Sequence, residues 1–318
     1  MLVYQKQAKK GSLSLETVTL CPPSPTHWLW QPETQQWQPA DALPFEAAHG
    51  LMLGYSVFTT FRTPQSPCWL RVHLQRVAQH AKALQLQPFA PINLAFESLS
   101  PILEANPSAV FRLTAVLAGD ASLLQKNRDA HPLPTTWLLH RREAGVEPFP
   151  NVPQAPHLRL KTVDFQQALP QLKHGNLLPA WMVRGQALQT DASVDEVLWQ
   201  APQGELLETT TGNLFCFMAD GTLRSAEEAL VLGGVTRQQV KKVCQRMGSP
   251  IVERAVGWEA EANQVVVAFT ANSVRGLVAV ASINGVPLLW DDKTLAQWGT
   301  LYSAWLDSLG LDGCYTAR

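Results

Sequence analysis

The sequence predicts an α/β fold of the α+β kind, organised in two domains, on three observations. The chain has 318 residues, enough to bury a sizeable core and, by length, to form two units. Helical and strand-like stretches are mixed without steady β-α-β alternation, which argues against a doubly wound parallel sheet. The stretch 143–156, EAGVEPFPNVPQAP, holds prolines at 148, 150, 153 and 156 and reads as the linker. The expected division is an N-terminal extension (1–25), a smaller α/β domain (26–145), the interdomain linker (146–156) and a larger domain (157–318) carrying the main chemistry.

In chain order, residues 1–25 have weak periodicity and end in the Pro-rich CPPSP, as expected of a peripheral extension. Trp28-Leu-Trp30 and Trp37 flank Gln-Pro-Glu-Thr as a hairpin. Val57 to Arg62 alternates and is rich in β-formers. A helix over 69–86 follows, with Leu70, Leu74, Val77, Ala81 and Leu84 at helical spacing, and a second lies between Ile92 and Glu104. Residues 110–117 and 135–140 read as paired strands; the charged connection 119–134 is long enough for a functional flap. Past the linker come a strand (158–163), the Lys173 region, a helical pattern, and strands at 196–200 and around Glu208. A helix over 236–247, strands at 251–255 and 265–269, a hairpin and a helix over 295–309 complete the chain.

Composition narrows the function classes. Hydrophobic residues make up 46% and charged residues 16%, with a net charge of −1, so nothing recommends nucleic acid or an anionic membrane as partner. The five cysteines are scattered with no Cys-x-x-Cys spacing, which indicates neither a zinc site nor a disulfide framework. MLVYQKQAKKG has no apolar signal region, and no run is long enough to span a bilayer; a cytoplasmic protein is expected. Neither a Gly-x-Gly-x-x-Gly after a strand nor a Walker A loop occurs. Most of the eleven tryptophans are expected to be packing residues.

The chemistry concentrates between residues 172 and 217. Lys173 follows a proline and precedes His-Gly-Asn at a strand-to-helix junction, where an amine can be presented into a pocket. Glu208 lies among apolar residues and threonines, where a carboxylate needs a cation or N–H donor. Such a pair suits pyridoxal phosphate: the amine attaches it and the acid keeps its ring nitrogen protonated. Taken alone, the pair is more often a surface lysine and an unrelated glutamate. Val235 and Thr236, after two glycines and opening a helix, offer a phosphate N–H groups and a hydroxyl, although locally Thr236 also reads as an ordinary N-cap. His73 stands one turn before Arg76 and reads as a hydrogen-bonded structural histidine; His73 and His80 lack a third metal ligand.

Lys173-His-Gly-Asn176, Glu208-Thr-Thr-Thr-Gly-Asn213-Leu-Phe215 and Gly234-Val-Thr-Arg237 stand in order and resemble the signature blocks of the class IV (fold-type IV) pyridoxal-phosphate enzymes. That family contains branched-chain and D-amino-acid aminotransferases and 4-amino-4-deoxychorismate lyase. The resemblance runs from about Trp28 to Leu306. It implies two α/β domains with the cofactor between them and a homodimer whose partner loop helps close the pocket. It assigns the cofactor amine to Lys173, the ring nitrogen to Glu208, and the phosphate to Arg76, Ser273 and the backbone of Val235 and Thr236.

Two blocks tilt the resemblance toward the lyase. Phe58-Thr59-Thr60 carries threonine at 59, where aminotransferases of this class usually have an acid, and is similar to the lyase block whose threonine assists elimination. Alternation puts Phe58 and Thr60 on one face and Thr59 on the other. Asn272-Ser-Val-Arg-Gly276 is similar to the lyase's Asn-Ser-Leu-Arg-Gly. Thr60 is thus expected beside Lys173 in catalysis, with Phe58, Asn272 and Arg275 facing substrate. Departures are Gly54-Tyr55-Ser56 for the usual Gly-Asp-Gly, Ala118-Gly119 for Arg-Gly, and Leu177-Leu178 where branched-chain enzymes place a tyrosine. The missing arginine leaves substrate carboxylates short of partners, and Arg275 is the expected substitute. Class IV aminotransferase activity is the alternative, and a non-catalytic descendant of the fold a third reading.

Overall fold

Two sheets dominate the computed structural model, which describes residues 25–63, 66–119 and 132–310. Residues 1–24 of the expected extension and 120–131 of the expected flap lie outside the described residues. The first sheet is antiparallel and comprises β1 (His27–Gln31), β2 (Gln36–Pro39), β3 (Ser56–Arg62), β4 (Ala109–Leu117) and β5 (Thr135–Ala144), in the order β2-β1-β5-β4-β3. Three helices accompany it: α1 (Phe45–Met52), α2 (Pro67–Ala83) and α3 (Ile92–Glu104). The apolar stripe of α2 (Leu70, Leu74, Val77 and Ala81) packs with Leu99 of α3 against Phe61, Phe111 and Leu113 of the sheet. Burying each large side chain contributes about 1.5–3 kcal/mol.

The second sheet begins past the Pro-rich segment. Its strands are β6 (Leu158–Asp164), β7 (Glu196–Gln200), β8 (Glu205–Thr209), β9 (Asn213–Met218), β10 (Leu223–Ser225), β11 (Val252–Glu253), β12 (Val256–Gly257), β13 (Val265–Asn272), β14 (Gly276–Ile283) and β15 (Val286–Pro287). The main order is β11-β10-β9-β13-β14-β6-β7-β8-β12, with β15 beside β14 and a further β8–β9 pairing. Helices α4 (Leu178–Thr190), α5 (Val235–Arg246), α6 (Trp258–Glu261) and α7 (Asp292–Gly310) complete this part. Phe215 and Phe269 stack in parallel 4.9 Å apart, and Trp298 and Trp305 of α7 pack into the same cluster. Nine tryptophans are buried; Trp290 packs partly buried, and Trp181 is largely exposed.

Four expectations change. The helix α1 was not anticipated: its Gly50 lies so close to Leu117 that a side chain would strike that carbonyl, and its large residues Phe45 and Met52 face outward. The strand expected at 251–255 shrinks to β11, parallel to β10, and an unexpected second strand, β12, follows beyond it, antiparallel to β8. The strand expected over 265–269 runs on to Asn272 because β13 is paired on both sides, with β9 and β14. Helix α2 runs from Pro67 to Ala83 rather than over 69–86, with proline in its first turn.

Candidate active site

Where the two sheets meet, a cavity of about 410 Å³ opens. Lys173, Glu208, Arg76, Phe58, Thr60, Val235, Thr236, Asn272, Ser273 and Arg275 all line it, so every site residue expected from the sequence reaches one space. Thr59 points away from it and accepts a hydrogen bond from Arg76 Nη2 at 2.8 Å.

The segment 173–175 connects β6 to α4 and is fastened to β3. The N–H of Phe58 donates to the Lys173 carbonyl at 2.9 Å, and Gly175 N–H donates to the Ser56 carbonyl at 2.8 Å. Glycine fits at 175 because a Cβ there would collide with the Ser56 hydroxyl unless that side chain moved. From the other side, the Lys173 N–H donates to Nδ1 of His80 at 3.1 Å. This makes His80 a positioning residue that the sequence showed only as half of an incomplete metal pair. Burial, then Arg76 and Lys173, pulls the His80 imidazole down to about 4, so it is neutral and able to accept.

Lys173 is half-buried at the cavity wall, enclosed by protein yet reachable from the mouth. Burial lowers its amine to about 7; Arg76 lowers it further, with smaller effects from Arg112 and Arg142, while Glu208 opposes the shift. Its Nζ lies 5.0 Å from the centre of the Phe58 ring. Glu208, on β8, is buried, and burial lifts its carboxyl to about 7 against the opposing pull of the Leu232 N–H, Lys173 and Arg237. Asn213 Nδ2 donates to Glu208 at 3.0 Å and also to the Leu232 carbonyl, and the Leu232 N–H donates to the same carboxylate at 3.3 Å. These bonds fix the direction in which Glu208 faces the cavity.

A third cluster can hold an anion. Arg76 is buried, its Nε has no hydrogen-bond partner, and burial lowers its guanidinium to about 10. The helix α5 opens at Val235 after Gly234, and its first N–H groups lack intrahelical acceptors. The Thr236 and Ser273 hydroxyls are 3.3 Å apart. Behind them the fully buried Arg237 anchors the helix, donating to Ser225 Oγ, to the Ala226 carbonyl at 2.8 Å and to Glu253 at 3.0 Å. His73 is fully buried, within 2.7 Å of Thr59 Oγ1, and held well below its usual pKa by burial, Arg76 and Lys173.

Opposite lies a positive wall. Arg112 and Arg142 line the cavity, and the sequence reasoning proposed neither. Asn272, expected to face substrate, accepts at its side-chain oxygen the N–H groups of Val274 and Arg275 at 2.9 and 2.8 Å, shaping the β13–β14 turn that presents Arg275.

A family model described as amino-transferase class IV matches residues 56–283. No curated protein sequence matches the chain significantly. Among solved structures, the 4-amino-4-deoxychorismate lyase of Pseudomonas aeruginosa is 20% identical with a TM-score of 0.65, covering 83% of this chain and 96% of that one. The branched-chain amino acid aminotransferase of Escherichia coli is 19% identical with a TM-score of 0.68, covering 86% and 92%. The branched-chain aminotransferase of Thermoproteus uzoniensis, solved with norvaline, is 17% identical with a TM-score of 0.70, covering 91% and 95%. At these identities the likeness establishes the fold.

Proposed function

The chain belongs to the class IV aminotransferase family, and within it we propose a lyase that converts 4-amino-4-deoxychorismate to 4-aminobenzoate and pyruvate. The family's cofactor is pyridoxal 5′-phosphate, and the cavity fits it. The unpartnered Arg76 Nε, the start of α5 and the Thr236 and Ser273 hydroxyls suit its phosphate. The buried Glu208 suits a protonated ring nitrogen, and Lys173 supplies an amine. When bound, the cofactor supplies an electron sink for the carbon that carries the substrate's amine.

The observation that carries the lyase reading is the meeting of both lyase-like blocks at Lys173. Phe58 and Thr60 enter from β3, and Asn272 to Arg275 from the β13–β14 turn. Burial lowers the Lys173 amine to about 7, which suits Nζ to removal of the proton from the amine-bearing carbon once it is free of the cofactor. The bond from the neighbouring carbon to the enolpyruvyl oxygen then breaks, and its electron pair leaves with that oxygen. A proton returned to the leaving group, with Thr60 Oγ1 assisting, completes pyruvate, and the ring becomes aromatic. This step would belong to the 4-aminobenzoate branch of folate synthesis, in the cytoplasm.

Amine transfer is the second reading, because the same lysine and acid serve it and the fold is shared with branched-chain aminotransferases. The test supplies purified protein and cofactor with aminodeoxychorismate, and separately with glutamate, alanine or a branched-chain amino acid plus a 2-oxo acid. Equal amounts of pyruvate and 4-aminobenzoate support the lyase; amine transfer without pyruvate replaces it with the second reading.

We also propose a homodimer. Phe45 and Met52 of α1, and Leu178, Trp181 and Met182 of α4, are exposed apolar side chains that a second copy would cover.

A further inference from the structure

The positive wall of the cavity has no function in binding the cofactor as described. Arg112 projects from β4, opposite Thr60 on β3 and His140 on β5. Its guanidinium carbon lies 4.2 Å from the centre of the Phe58 ring, and its Nε is buried without a hydrogen-bond partner. Arg142 reaches the same cavity from β5 at a bulge. Phe111 pairs with Arg141 and Val110 with Glu143, so Arg142 is the extra residue, with no partner opposite it. Among the described residues neither Arg112 nor Arg142 is in an ion pair. The nearby groups add to the positive field: burial and then Arg142 lower the Arg112 guanidinium to about 10, and both arginines help depress His140. The acids lining the cavity are Glu143, exposed at the rim, and Glu208, already held by Asn213 and Leu232. Two guanidinium forks facing one space, neither in an ion pair among the described residues, are matched by carboxylates, which accept paired N–H bonds.

We propose that Arg112 and Arg142 together seat the two carboxylates of a dianionic substrate, Arg112 the inner one and Arg142 the outer, and so select dicarboxylates over monocarboxylates. This rests on and deepens the lyase reading, whose substrate carries one carboxylate on its ring and one on its enolpyruvyl group. It also supplies the partners missing at Ala118, which the sequence offered only through Arg275.

Arg142 is exposed, so its replacement leaves the core intact. The experiment compares wild-type holoenzyme with Arg142→Gln and Arg142→Lys. It measures KM and kcat for aminodeoxychorismate, and dissociation constants for isophthalate and benzoate from tryptophan fluorescence, with unchanged Tm as the folding control. Loss of a charge-assisted contact is expected to raise KM about tenfold in Arg142→Gln, with a smaller change in kcat. Isophthalate should weaken by a similar factor and benzoate little, with Arg142→Lys in between. Unchanged KM, or equal effects on the two probes, overturns the seat. If wild type yields no pyruvate yet prefers isophthalate through Arg142, the lyase reading fails and the seat stands. If it yields both products and Arg142→Gln is indistinguishable from it, the seat fails and the lyase stands.

Discussion

Lys173 is poised for chemistry at the expense of the fold. Its amine sits near 7 in the folded protein and at about 10.5 when exposed, so the unfolded chain binds the extra proton between those values. Its charge therefore destabilises the cofactor-free protein most below pH 7, and the penalty fades as pH rises toward 10.5. Replacing Lys173 with Met should raise the Tm of cofactor-free protein more at pH 6 than at pH 10, while abolishing turnover; an equal effect at both pH values would contradict the assigned shift. For the wild type, kcat should climb through about pH 7, because Nζ is a free amine only once the substrate's amine has displaced it from the cofactor and must then lose its proton to act as base. Thr60→Val should reduce pyruvate formation by about a hundredfold or more while leaving the cofactor bound, as read from its absorbance. The sequence revealed Lys173, Glu208, Arg76 and Thr236 because each lies in a short linear block with local geometry of its own. Arg112, Arg142 and His80 were hidden because strand register and contacts across long chain separations bring them to the site.

At the scale of elements, the site depends on how the 173–175 segment lies on β3. Two backbone hydrogen bonds and the absence of a side chain at 175 set its height above Ser56. Gly175→Ala should push the segment away, lowering stability by about 1–3 kcal/mol and weakening cofactor binding. Adding Ser56→Ala removes the hydroxyl that the new methyl group strikes, so the double variant should recover both properties. A Tm and a cofactor titration on all four proteins check this; strictly additive losses would show that the contact with Ser56 is not the cause. The longer elements were legible where burial is one-sided: α2 and α3 show helical spacing, and β7 coincides with the expected 196–200 strand. Helix α1 was not, because its apolar side chains point outward and its buried positions are Ala47 and Gly50. The separate strands β11 and β12 were illegible for a related reason, since each is two residues long and they serve different neighbours, β10 and β8.

For the whole molecule, bonds beside the site join the part built on the first sheet to the part built on the second. Arg62 donates to the carbonyls of Val274, at 3.2 Å, and Glu147, and Trp69 Nε1 donates to the Ser308 carbonyl at 3.1 Å. Cofactor binding should therefore raise the stability of both parts together, since a ligand held by groups from both sheets favours the state in which they are joined. The exposed α1 and α4 side chains predict a dimer by sedimentation, and Phe45→Glu with Trp181→Glu should shift it toward monomer; a wild-type monomer at all concentrations would contradict the proposed assembly. The most direct test is to reduce the reconstituted protein with borohydride, which fixes pyridoxal phosphate to the amine that holds it, and to locate the label by peptide mass spectrometry. The account predicts a single label on the peptide containing Lys173 and none in Lys173→Met. A label on another lysine, or no stoichiometric label at all, would contradict it.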